Sequence, residues 1–106
     1  MRQALDDATK AVLSCPEDPS GFLLRGKIEL ERGKPSALAD LQKAATLTRN
    51  RDAETLAALA DALSTAGRID EALKTARSAL ALRPADKEIG EQVRTLEEQA
   101  KKKRAG

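Results

Sequence analysis

The sequence of 106 residues contains no histidine, tryptophan or tyrosine, one phenylalanine (Phe22) and one cysteine (Cys15). Without histidine, the commonest general base is missing and a zinc site would lack most of its usual ligands. A single cysteine cannot form an internal disulfide. The serines have no evident activating base near them, and the sequence has no glycine-rich phosphate loop. We therefore expect no enzyme, no metal site and no cofactor.

Long apolar runs and a strong charge excess are also missing. No stretch is long and apolar enough to span a membrane, and the N-terminus lacks the apolar run of a signal peptide, which favours the cytoplasm. Lys and Arg number 19 and Asp and Glu 17, a net charge of +2. The basic run Lys101–Arg104 lies at the end of a predicted helix, where cations suit the helix dipole. We expect neither a nucleic-acid partner nor a membrane partner.

The abundant residues are Ala, Leu, Glu, Lys, Arg and Gln, which have the highest helix propensities. The β-branched and aromatic residues that favour strands are scarce. A core without aromatics must be built from alanine and small aliphatic side chains, which suits close packing of helices. The composition therefore predicts an all-α domain.

The chain repeats itself at a spacing of 34 residues. Three pairs of residues coincide at that spacing: Phe22 and Leu56, Gly26 and Ala60, and Gly33 and Gly67. The segment from Ala37 also resembles those from Ala4 and Ala72. Apolar residues at helical spacing and the turn glycines indicate antiparallel helix pairs. We predict six helices, at about 2–15, 19–32, 35–48, 53–66, 69–82 and 86–103.

The 34-residue period, the small residue seven before the turn glycine, the alanines seven apart in the second helix and the final proline resemble the tetratricopeptide repeat. The resemblance implies an all-α, right-handed α-α superhelix, a solenoid of about six antiparallel helices. Another kind of helix-hairpin repeat is the alternative. The implied division of the single domain is 1–18, the second helix of an incomplete repeat; 19–52 and 53–86, two full repeats; and 87–106, a capping helix and basic tail.

Comparison of the two full repeats predicts a structural ion pair. The first repeat has Arg25 and Asp40, where the second has Leu59 and Thr75, so both charges are present or absent together. These positions face each other in a helix hairpin, and Glu29 could reach Arg25 along the same helix face. The pattern resembles the variety of this repeat with "RG" in its first helix and aspartate in its second. The alternative is two unrelated surface charges.

The opening helix raises a question about its partner. Asp7 stands where Asp40 stands, so this helix resembles the second half of a repeat without its first half. We expect the sequence to be a fragment of a longer solenoid, with Met1 added to it. The alternative is that another chain covers this helix.

The resemblance implies a concave surface lined by the first helix of each repeat. One end of this surface is apolar with a lysine and the other is acidic, which suits a peptide with apolar and basic groups. The alternative is a solvated surface that binds nothing. The predicted groove residues are Leu23, Leu24, Lys27, Leu30, Glu54, Ala57, Ala58, Asp61, Glu88 and Glu91.

Some tetratricopeptide domains bind a C-terminal carboxylate through a cluster of lysines, asparagines and an arginine in this groove. At the matching places this sequence has Leu23, Lys27, Ala58, Glu88 and Gln92. Only Lys27 is basic, and Glu88 would repel a carboxylate. We therefore do not expect binding of chaperone C-terminal tails.

The sequence thus predicts a non-catalytic protein–protein interaction module that binds a peptide or a partner protein and belongs to a larger repeat protein. The alternative is a self-assembly element. In that case the chain would form a homo-oligomer through its N-terminal helix, using the apolar residues Leu5, Val12, Phe22 and Leu23.

Overall fold

The computed structural model describes the backbone of residues 2–105 and the side chains of residues 4–104; Met1, which we expected to be an added residue, lies outside them. The all-α prediction is confirmed: the described residues form helices and no strand. None of these helices could cross a membrane. The helices are α1 (Arg2–Ser14), α2 (Pro19–Glu31), α3 (Ser36–Leu47), α4 (Ala53–Thr65), α5 (Ile69–Leu82) and α6 (Lys87–Ala105).

The helices form a curved row in which each packs against its neighbours in sequence. Contacts also join α2 to α4 and α4 to α6, whereas none joins α1 to α3 or α3 to α5 within the described residues. The first helices of successive repeats (α2 and α4) and the capping helix α6 therefore contact one another, whereas the second helices (α1, α3 and α5) do not. As a result, α2, α4 and α6 lie on the inner side of the row.

Glycines end the first helix of both hairpins. Gly33 and Gly67 have φ angles of +67° and +82°, in the left-handed region where glycine is favoured. In the next residue of each turn, the backbone N–H of Lys34 donates to the carbonyl of Glu29, and that of Arg68 to Leu63. These bonds satisfy carbonyls at the helix ends and turn the chain back on itself.

Aspartates, which favour the N-cap position, precede α2, α4 and α6, and two of the three cap their helix with a backbone hydrogen bond. Ser20 N donates to Asp18 Oδ1 at 2.9 Å, and Ile89 N donates to Asp86 Oδ1 at 3.1 Å. Asp52 precedes α4, but its carboxylate accepts the hydroxyl of the buried Thr55 at 2.6 Å and makes no cap bond to the backbone. Because a buried hydroxyl needs a hydrogen-bond partner, that of Thr55 binds the Asp52 carboxylate in place of a backbone N–H.

α2 and α3 cross closely at Gly26 in α2. A Cβ atom there would be 2.7 Å from Cγ and 2.8 Å from Cδ2 of Leu41 in α3, which is closer than real Cβ contacts. Leu41 has no exposed surface, so its side chain has no free space to move into. Alanines occupy the other predicted small-residue positions and are fully or almost fully buried: Ala37, Ala44, Ala60, Ala72 and Ala79.

We expect Gly26→Ala to lower the free energy of unfolding by about 1–3 kcal/mol, the usual cost of overpacking. The gain in helix propensity, up to about 1 kcal/mol, does not offset it. Gly90 in α6 is the control, because a Cβ there meets nothing within 4 Å. Gly90→Ala should raise stability by up to about 1 kcal/mol. Chemical denaturation measures both, and two changes of the same sign would contradict the packing.

Arg25 and Asp40 form a bidentate ion pair between α2 and α3. Arg25 Nε and Nη2 donate to Asp40 Oδ2 and Oδ1, each at 2.8 Å, and the two side chains are 24% and 10% exposed. The guanidinium carbon also lies 5.9 Å from the centroid of the Phe22 ring, within cation–π range. The planar fork of arginine suits this arrangement.

Glu29 adds a second carboxyl group to this pair. Its Oε1 lies 3.9 Å from Arg25 Nε, and its Oε2 accepts the hydroxyl of Ser36. Oε1 is buried and has no hydrogen-bond partner. Burial and the adjacent Asp40 raise the pKa of Glu29. For Asp40, burial alone would raise the pKa, but the two hydrogen bonds from Arg25, together with the adjacent Glu29, bring it below its usual value. Of the two carboxyl groups, Glu29 is therefore the weaker acid.

This cluster predicts a pH-dependent effect of Glu29→Gln. Because folding raises the pKa of Glu29 above its usual 4.5, its contribution to stability is complete below that value and declines as pH rises through the folded pKa. Glutamine imitates the protonated form and avoids the loss. At pH 8 the variant should melt at a higher temperature than the parent chain, by a measurable amount since about 1 kcal/mol already corresponds to roughly 4–8 °C in a small domain.

Calorimetry from pH 4 to 8 tests this prediction. The advantage of Glu29→Gln should shrink towards zero as pH falls below about 4.5, the unfolded value. Glu31→Gln is the control, because Glu31 lies exposed on the same helix. A variant that melts below the parent at pH 8, or a difference that stays constant with pH, would refute this account of the cluster.

Candidate functional site

A groove of about 360 Å³ lies on the inner side of the helix row, between α2, α4 and α6. Six of the ten predicted groove residues line it, together with four others. The lining residues are Lys27, Glu54, Ala57, Ala58, Asp61, Arg83, Asp86, Glu88, Ile89 and Gln92.

The floor of the groove is one face of α4. Glu54, Ala57, Ala58 and Asp61 follow each other at helical spacing, so they lie in one row along the helix. The rest of α4 is largely buried in the core. Because two of the four residues are alanines, the backbone is accessible in the middle of the floor and charged side chains stand at both ends.

Gln92 ties α6 to this floor. Its Nε2 donates to the carbonyl oxygen of Ala57 and to Asp61 Oδ1, both at 2.8 Å. The bond to Ala57 reaches a helix carbonyl that a larger side chain would cover. Burial raises the pKa of Asp61, and the Gln92 hydrogen bond partly opposes that shift. Asp61 is thus a partly desolvated carboxylate that gains from a cationic ligand.

The charges of the groove are mainly negative. Lys27 Nζ lies 3.5 Å from Glu54 Oε1, so the lysine already has a carboxylate partner, and both side chains are about half exposed. Arg83 is the second cation among the lining residues. The carboxylates are Glu54, Asp61, Asp86 and Glu88.

Four predicted groove residues do not line the cavity. Leu23 and Leu30 pack against the core, and Leu30 lines a separate apolar cavity of about 230 Å³ beside the helix turns. Leu24 is half exposed outside the cavity. Glu91 lies in a shallow depression with Arg94, Thr95 and Glu98. The apolar end predicted for the groove is thus not part of the cavity.

Of the four other lining residues, Gln92 was named from the sequence only at a place matching the carboxylate-binding cluster, and three were not named at all. Arg83 and Asp86 belong to the connection between α5 and α6, and Ile89 begins the buried stripe of α6. The path of this connection brings them to the groove. Asp86 precedes α6 and is a residue type that favours the helix N-cap, and the cap bond from Ile89 N fixes where its carboxylate lies.

The ten lining side chains include no histidine, cysteine or serine. Within the described part of the chain, no three His, Cys, Asp or Glu side chains are placed to hold a metal ion. The polar groups of the groove are carboxylates, an amide, an ammonium group and a guanidinium. Such groups bind ligands through hydrogen bonds and charge.

The surface considered for self-assembly differs from the sequence interpretation, which took Val12 to be exposed. Val12 is buried, and a Cβ on Gly21 of α2 would lie 3.0 Å from its backbone nitrogen, so α1 and α2 cross closely there. Leu5, Phe22 and Leu23 are half-buried. Since Val12 is buried and Leu23 packs against the core, the four residues do not form one exposed apolar surface.

Solved structures with the same arrangement of helices include three TPR domains of proteins named RPAP3. The NMR structure of the first TPR domain of the human RPAP3 protein superposes with a TM-score of 0.90 at 22% identity, covering 99% of this chain and 83% of that one. The first TPR of Spaghetti (RPAP3), bound to the HSP90 peptide SRMEEVD, gives 0.87 at 22% identity, covering 93% and 80%.

A third similar structure is the second TPR domain of human RPAP3 in complex with the HSP70 peptide SGPTIEEVD. Its TM-score is 0.80 at 18% identity, and the match covers 88% of this chain and 78% of that one. No protein-family model and no curated protein matches the sequence. The chain therefore has the fold of a tetratricopeptide-repeat domain.

Proposed function

We propose that the chain is a non-catalytic protein-interaction module and that its groove binds a peptide segment of a partner protein. The observation that carries the proposal is the convergence of polar side chains from α2, α4 and α6 on one open groove of about 360 Å³. Two structures of the same fold contain peptides, which supports this kind of ligand. Tetratricopeptide-repeat domains serve as non-catalytic binding modules.

The charge of the groove supports a peptide with basic and apolar side chains. Four carboxylates and two cations line the cavity, and Lys27 is paired with Glu54. Asp61 keeps one oxygen free of the Gln92 amide and is partly desolvated, so a lysine or arginine of the ligand would bind there with charge-assisted hydrogen bonds. The apolar surfaces of Ala57, Ala58 and Ile89 would pack against the rest of the peptide.

The same charges disfavour the acidic tails bound by the similar structures. Those peptides end in EEVD. In this groove Glu88 and Asp61 would repel such a tail, and Lys27 would have to leave Glu54. We therefore place the ligand among basic segments of a partner protein.

A peptide-display selection against the whole chain tests the proposal. The selected peptides should be enriched in lysine and arginine, and the peptide SRMEEVD should not compete with them. Asp61→Lys should weaken their binding by at least about tenfold, the loss of 1.4 kcal/mol of binding energy. The control is Glu17→Lys, which makes the same charge change at an exposed position in the loop between α1 and α2.

Fluorescence anisotropy measures the affinities, and circular dichroism shows that both variants are folded. Equal affinities of the two variants would exclude the groove as the site. Enrichment of acidic peptides, or competition by SRMEEVD, would contradict the charge argument.

A further inference from the structure

The apolar cavity of about 230 Å³ lies one helical turn beyond the groove, on the same two helices. Leu30 follows Lys27 by three residues on α2, and Thr65 follows Asp61 by four residues on α4. At these spacings the members of each pair share a helix face. The turn after α2 and the start of α3 complete the wall of the cavity. The cavity therefore continues the groove towards the helix ends.

The wall of the cavity is almost entirely apolar. Seven of its nine residues are alanine, leucine, glycine or proline, and the other two are Lys34 and Thr65. Thr65 Oγ1 donates to the main-chain carbonyl of Asp61 at 3.0 Å, and the backbone N–H groups of Gly33 and Lys34 donate to carbonyls of α2. Lys34 is exposed and carries its charge on a long aliphatic stem. The wall thus suits an apolar group.

The cavity has the size of an apolar side chain and is open to solvent. A protein cavity of roughly 150 Å³ lined by leucine, isoleucine and phenylalanine can hold benzene. At about 230 Å³, this cavity has room for the side chain of a leucine or a phenylalanine. Gly33, Pro35 and Ala66 on its rim are exposed, so a side chain can enter from outside.

The next interface of the chain shows what fills the equivalent place. At the 34-residue spacing Ala62 of α4 corresponds to Leu96 of α6, which is 3% exposed and packs in the core. Thr65 corresponds to Gln99, whose Oε1 accepts a hydrogen bond of 3.4 Å from Ser64. A leucine and a polar bridge thus stand where the first interface has alanine, threonine and a cavity.

The distance from the groove suits one peptide that reaches both places. Asp61 and Thr65 are about 6 Å apart along α4, since each residue of a helix rises about 1.5 Å. In an extended peptide, side chains two residues apart lie on the same side and are roughly 6–7 Å apart. A peptide with a basic residue on Asp61 therefore brings the side chain two residues away to the cavity.

We propose that this cavity binds a leucine or phenylalanine side chain of the peptide ligand, two residues from the lysine or arginine that binds Asp61. The inference rests on the proposed function, because the basic residue positions the peptide. It adds a selectivity that the charges of the groove do not give. Basic segments without an apolar residue at that spacing bind more weakly.

Toluene is the probe for access to the cavity. In an NMR titration of the whole chain with labelled methyl groups, it should shift the resonances of Leu30, Leu38 and Ala66 in a saturable way. Ala62→Leu introduces the residue that α6 has at this place and should abolish the shifts. It should keep or raise the melting temperature, since filling a cavity commonly stabilises a fold. Ala39→Leu is the matched control, because Ala39 is exposed on α3 and does not line the cavity.

The peptides selected on the groove provide the second test. Each is compared by fluorescence anisotropy with a copy in which the apolar residue two positions from the basic residue is alanine. The copy should bind the parent chain and Ala39→Leu at least about tenfold more weakly. Both peptides should bind equally to Ala62→Leu, where the cavity is filled. Ala66→Leu fills the cavity from its exposed rim and should give the same result without a change in the core.

The outcomes separate this inference from the proposed function. An absence of saturable toluene shifts, or of an apolar residue at the stated spacing in the selected peptides, would overturn the inference. The same applies if the alanine copy loses as much affinity for the filled variants as for the parent chain. In all three cases Asp61-dependent peptide binding would leave the proposed function intact. Peptide binding that Asp61→Lys does not weaken would refute both.

Discussion

The contact between the backbone of α2 at Gly26 and the side chain of Leu41 sets the geometry of the first hairpin. There is no space for a Cβ atom between them, and Leu41 is fully enclosed. Since helix axes can approach closely only where side chains are small, this crossing fixes the distance between α2 and α3. Alanines act in the same way in the second hairpin, where Ala60, Ala72 and Ala79 have no exposed surface.

Polar residues on either side of Gly26 connect α2 to α3 and to α4. Arg25, next to Gly26, points to Asp40 on α3 with both donors engaged, while Glu29 one turn later shares the same cluster. Lys27, on the other side of Gly26, reaches the groove and meets Glu54 of α4. A polar cluster of this kind contributes little net stability but penalises any other pairing of helices, because a mispaired hairpin would leave its charges buried without partners.

Much of the fold could be predicted from the repeat. Each helix begins and ends within two residues of the predicted bounds, because turn glycines and apolar spacing are local signals. Comparison of the repeats singled out Arg25 and Asp40, which the structure brings together. The positive φ angle of Arg49 had no signal, since arginine does not favour it and the second repeat has a proline there. Asn50 is a residue type that tolerates a positive φ, but the repeat comparison did not single it out. Arg83 lines the groove because of the path of the connection between α5 and α6, which the sequence does not reveal. Leu30 lines a separate cavity because of how α2 is rotated against the core, which the helical spacing alone does not determine.

A double-mutant cycle between Gly26→Ala and Leu41→Ala tests the central contact most directly. Both backgrounds are measured by chemical denaturation in one sulfate-containing buffer, which strengthens apolar burial and keeps the truncated core folded. The account predicts that Gly26→Ala destabilises the parent chain but is neutral or stabilising once Leu41 is alanine, because only the propensity gain of up to about 1 kcal/mol then remains. Equal effects of Gly26→Ala in the two backgrounds would contradict the account.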